Sequence, residues 1–256
     1  MNQLNIIAVI YPRSPRAETQ ARAALADASR LFFEMHLDTR LNILAVLTLT
    51  KYEAFRAVHP QDRQNAIIRY VARDNGMPVQ DVEAAFARGE VISKYFNIEP
   101  LAVGTVQIET GINENRDNLS ENRVHLLYRW GVEQTVNAGA KRSAAENALT
   151  VVFADEGNKA VGFDYIDPDS NQYIRSRTWA PGGMVFIAES NESLYPDGYA
   201  RAISHEATHV LLSVGGHPYD GVPQFQHIFS YGNLSGWQVS SNQRGEMIRN
   251  ITNRPR

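Results

Sequence analysis

The 256-residue chain has no cysteine. That absence removes disulfides, thiolate nucleophiles, iron–sulfur clusters and cysteine-ligated zinc together. A transition metal in this chain would have to be held by His, Asp, Glu or Tyr. An excess of one charge is also lacking. Twenty-five Lys+Arg against 28 Asp+Glu leave a formal net charge of -3, which argues against nucleic acid as a partner. Long hydrophobic runs are missing too. The longest apolar stretches, around residues 6–11 and 41–49, are strand length, so no membrane span is expected. Met1-Asn2-Gln3 leads straight into the first of them, without a basic region, a long apolar core or a small-residue cleavage site. The expected location is the cytoplasm, or outside the cell for a mature chain that has gained a Met. No GxGxxG or GxxxxGKS phosphate loop occurs.

What is present suits a folded protein: 43% of residues are hydrophobic and 21% charged. Residues 4–11 (LNIIAVIY) predict a buried strand, 12–15 a break, and 17 onward (AETQARAALADASRLFFEMHL) a helix. Residues 41–49 predict a second strand, and strand–helix–strand opens a layered α/β unit. Helices are expected at about 63–74, stopped by Asn75-Gly76, and at 81–95 with Asp81 as cap. TVQIE (105–109) and VHLLYRW (124–130) are expected strands on either side of a polar loop. Further on come a helix over 140–147, a strand over 148–154, an exposed loop over 164–183 and a strand over 184–188. A turn over 191–198 leads into a helix over 199–214, ended by Gly215-Gly216, and the last helix covers 242–251. With no repeat and no linker, one domain over 1–256 is expected.

Four of the seven histidines fall within 23 residues: His205, His209, His217 and His227. At the centre is HEATH. On a helix, His205 and His209 share a face one turn apart, so both imidazoles can reach one metal ion. Glu206 is offset round the helix and can approach a metal-bound water as general base without being a ligand. A catalytic zinc takes three protein ligands and keeps a position for water. His217 leads as the third, because Gly215-Gly216 lets the chain turn back. Asp220, His227 and Glu246 are the rivals.

HEATHVLLSVGGHPYD resembles the zinc-binding consensus of the metzincin metallopeptidases, in which HExxH is followed by a glycine turn and a third histidine. In the family that histidine comes six residues after the second; His217 comes eight after His209. HIFSYG is similar to the family's methionine-containing turn, with Phe229 in place of Met and Tyr231 at the position of a Tyr that steadies the reaction intermediate. The resemblance implies a metzincin-like α/β (α+β) fold, a twisted mixed sheet with an active-site helix and a C-terminal helix. An N-terminal strand–helix–strand half would precede a zinc-site half starting near residue 145. It implies a zinc endopeptidase: His205, His209 and His217 on Zn2+, Glu206 as base, Tyr231 at the oxyanion. Met184, Val185, Phe186 and Ile187 would form an edge strand that pairs with an extended peptide. The alternatives are a metallohydrolase acting on a non-peptide amide, or a zinc-binding protein without activity. Residues 50–140 carry no family feature. The acidic group Asp164, Asp167 and Asp169 is expected to be a solvated loop, and His125 to be structural.

Overall fold

The computed structural model describes residues 1–11, 16–50, 52–53, 56, 61–88, 123–153, 161–163, 182–187, 198–214, 217–230 and 236–254. The expected strand 105–109, the loops about it, the acidic loop with Asp164, Asp167 and Asp169, the Gly215-Gly216 hinge and Tyr231 lie outside them. In chain order the elements are β1 (Asn2–Ile10), α1 (Glu18–Glu34), β2 (Thr39–Thr48), α2 (Gln61–Asn75), α3 (Val79–Ala87), α4 (Arg123–Asn137) and α5 (Arg142–Glu146). Then follow β3 (Leu149–Phe153), β4 (Val161–Phe163), β5 (Met184–Ile187), α6 (Gly198–Leu212), a 3-10 turn (Gln224–Gln226) and α7 (Ser241–Thr252).

The result is a mixed α/β fold around a five-stranded sheet of order β2-β1-β3-β5-β4. The first four strands in that order run parallel, and β4 lies antiparallel on the edge beside β5. Parallel strands buried on both faces are written as continuous apolar runs, which is why β1 and β3 were visible as IIAVI and LTVVF. Along β1, Leu4, Ile6, Ala8 and Ile10 face a core completed by α1, α6 and α7. Ile7 and Val9 face α4, which comes so close that a Cβ on Gly131 would stand 3.6–3.7 Å from them. Each fully buried aliphatic side chain of this kind is worth about 1.5–3 kcal/mol. Helix α1 joins the core through Ala21, Leu25, Ala28 and Phe32, a stripe at three- and four-residue spacing. A smaller cluster of Ile68, Val71, Ala72 and Val82 joins α2 to α3.

The structure corrects two expectations here. Residues 124–130 are helical, within α4. Seven residues of VHLLYRW look strand-like, but in the longer segment the buried positions are Leu127, Tyr128, Val132 and Thr135, a helical spacing. Met184, Val185, Phe186 and Ile187 are not an edge. β5 is paired with β3 on one side, and Met184, Val185 and Phe186 also pair with β4 on the other, so those three offer no free ladder to a peptide. Strand order depends on which segments meet in three dimensions, and β4 was too short to be seen in the sequence.

The C-terminal segment is tied to the sheet. The Arg254 guanidinium donates to the carbonyls of Gly182 (2.6 Å) and Asn147 (3.0 Å). Position 182 must be glycine, since a Cβ there would fall 1.6 Å from the Ala148 carbonyl oxygen. Among the described residues, no helix is long and apolar enough to cross a membrane.

Candidate metal centre

Helix α6 crosses the core, and 13 of its 15 residues are buried, so its few polar side chains are each committed to a partner. Ser204 and Thr208 donate their hydroxyls back to the carbonyls of Ala200 and Ser204, 2.8 and 2.7 Å away. Arg201, fully buried, donates to the carbonyls of Gly236, Ile228 and Ser230 and to the Ser230 hydroxyl, gathering the segment that passes beneath the helix.

His205 and His209 leave the helix on one face. The helix ends at Leu212, Ser213 adopts a left-handed φ of 51°, and the chain returns at His217. The three imidazoles bring one ligand atom each to within 4.8 Å of one another. Their ring centroids form a nearly equilateral triangle with sides of 5.0, 5.2 and 5.0 Å. His205 Nε2 and His209 Nε2 are 3.3 Å apart. Two nitrogens bound to a tetrahedral ion at about 2.0–2.1 Å would stand about 3.3–3.4 Å apart, so this spacing suits a shared ion.

The hydrogen bonds also fix which nitrogen faces the centre. His205 Nδ1 lies 2.9 Å from the Ile228 carbonyl oxygen and His209 Nδ1 lies 2.8 Å from that of Val214. A carbonyl only accepts, so each Nδ1 carries the proton and each Nε2 presents its lone pair inward. Phe229, fully buried, closes the inner side. Its ring stacks on His209 at 4.4 Å and lies 5.4 and 5.3 Å from His205 and His217. It sits at the tip of a turn closed by the Ser230 N–H on the His227 carbonyl, at 3.0 Å. His209 and His217 are partly exposed, so the other side of the triangle faces solvent.

Burial also sets the charge state. It holds His205 well below the ordinary imidazole range, aided by His209 and His217 beside it. Burial pushes His209 down to about 4 and lowers His217, whose neighbour His227 adds to the effect. Neutral imidazoles are the metal-binding form.

The rival ligands are otherwise engaged. His227 is fully buried with both nitrogens used: Nδ1 accepts the Phe229 N–H at 3.1 Å, and Nε2 therefore carries the proton and donates to Gln243 Oε1 at 2.8 Å. Asp220 accepts the Ser240 hydroxyl. Glu246, on α7, does not join the cluster. Glu206 is buried on α6, its Oε1 3.9 Å from His205 Nε2.

Two residues escaped the sequence. Arg201 gave no signal beyond a cation in an apolar helix. Gln243 was legible only as the fourth residue of Ser240-x-x-Gln243, a capping pattern.

No family model matches the chain, and no curated protein matches it. The identification of HEATH…GGH as a metzincin signature is corrected accordingly. What the fold brings together is a cluster of three histidines able to chelate a metal ion. Glu206 is not part of that cluster; it rests against a ligand ring and is not placed as the general base of a zinc peptidase. The assignments as metallopeptidase and endopeptidase fall with it, and the sheet supports a mixed α/β fold without the family's specific arrangement.

Proposed function

We propose that the protein binds a divalent transition-metal ion, zinc in the first place, through His205, His209 and His217. The observation that carries this is the trihistidine triangle itself, with two of its Nδ1 atoms engaged by carbonyls so that the Nε2 lone pairs converge. An all-imidazole donor set suits zinc and its first-row neighbours and does not suit magnesium or calcium, which prefer oxygen. Three protein ligands would leave a coordination position for water, and His209 and His217 are partly exposed. When bound, the ion would supply a Lewis-acid centre there. Glu206 lies beside this donor set, its Oε1 3.9 Å from His205 Nε2.

The test is thermal stability after removal of metal with a chelator. Zinc at about 100 times its dissociation constant adds about 2.7 kcal/mol, a rise in Tm of about 5–10 °C for a chain of this size. H205A, H209A and H217A should each lose the rise. A wild-type Tm that ignores added zinc would end the proposal.

A further inference from the structure

The third ligand does not sit on the helix that carries the other two, so something must hold its loop in place. The segment from Val214 to Pro218 is tethered on both sides of His217. Before it, the Val214 carbonyl accepts a hydrogen bond from the His209 Nδ1–H. After it, the Pro218 carbonyl accepts one from Gln243 Nε2 at 2.7 Å. Pro218 has no N–H, so that carbonyl is its one strong backbone handle.

The Gln243 amide cannot turn over. Its Oε1 accepts two donors, the Ser240 N–H at 2.9 Å and the Nε2–H of His227 at 2.8 Å, so its Nε2 must point at Pro218. His227 is itself held in that tautomer by the Phe229 N–H on its Nδ1. One amide side chain thus joins the C-terminal helix, the third-ligand loop and the turn that carries the phenyl floor. Asp220, further along the loop, is tied to the same helix start through Ser240. From this connection we infer that Gln243 is a positioning residue for the metal centre, setting the place of His217 through Pro218. The inference rests on the metal-binding function proposed above and concerns the same site.

The informative variant is Q243E. A glutamate keeps the acceptor that the Ser240 N–H and His227 use, so the helix cap survives, but it turns the donor facing the Pro218 carbonyl into a second acceptor. Q243M, which removes all three bonds in nearly the same volume, is the companion should Q243E fail to fold. R254M is the control for loss of stability alone, because Arg254 holds the carbonyls of Gly182 and Asn147. Zn2+ affinity by chelator competition at pH 8 and the visible spectrum of the Co2+ form are measured for each full-length protein.

Q243E should bind Zn2+ about 10–100-fold more weakly than wild type, the usual effect of losing an outer-shell contact, and its Co2+ bands should change in intensity. R254M should lose thermal stability while keeping both. Q243E with wild-type affinity and spectrum overturns the positioning role while leaving the metal site intact. Equal losses in Q243E and R254M overturn it as well. If wild type takes up neither ion, the proposed function fails first and takes this role with it.

Discussion

Acid should weaken the metal-free protein by an amount that the imidazole cluster sets. His209 has an ordinary pKa near 6.5 when unfolded and about 4 in the fold, mainly because it is buried. Between those values the unfolded chain holds a proton that the native chain does not, so stability rises with pH and falls as pH drops from 6.5 toward 4. At about 1.4 kcal/mol per unit, His209 alone contributes a loss of about 3 kcal/mol over that window. His205, His217 and His227 are all lowered and add in the same direction. Urea denaturation of chelator-treated protein at steps from pH 7.5 to 4 measures the slope. H209N isolates one residue, since its amide can still donate to the Val214 carbonyl but does not titrate. It should lose about 3 kcal/mol less than wild type across the window. Parallel pH profiles for the two proteins would refute the link between burial of the cluster and acid sensitivity.

Phe229→Ala should cost about 3–5 kcal/mol, because the ring is fully buried and four imidazoles pack against it. Phe229→Leu should recover most of that, as read by urea midpoints, and an unchanged midpoint for the alanine variant would remove Phe229 as the floor of the site. His227→Gln should cost about 1–3 kcal/mol through its two lost hydrogen bonds. It should keep most of the zinc content of wild type, because the Ser240 N–H still orients the Gln243 amide; a complete loss matching that of H217A would restore His227 as a ligand.

The parts of the fold that could be read in advance were those in which one short segment carries its own signal. The strands β1, β2 and β3 announce themselves as apolar runs, and α1 and α6 as helix-forming segments with apolar spacing. The histidine pair was legible because four-residue spacing on a helix fixes a shared face, and His217 because two glycines precede it. What was not legible depends on distant partners. Nothing in MVFI says that β4 will cover its far side. A seven-residue window hid the helical spacing of α4, which only the residues after Trp130 reveal. His227 has the residue type of a ligand, yet its nitrogens are taken by Gln243, 16 residues on, and by the turn at Phe229. The resemblance to a peptidase signature rested on the same few residues, and those residues support a trihistidine cluster and nothing more specific.

The most direct test of the centre is elemental analysis of protein purified without added metal, with wild type and H217A side by side. Near one divalent ion per wild-type chain, zinc foremost, and a clear loss in H217A are the predicted results. Equal content in both proteins would contradict the role of His217, and a wild type that holds no metal and takes none up when it is supplied would contradict the metal centre itself.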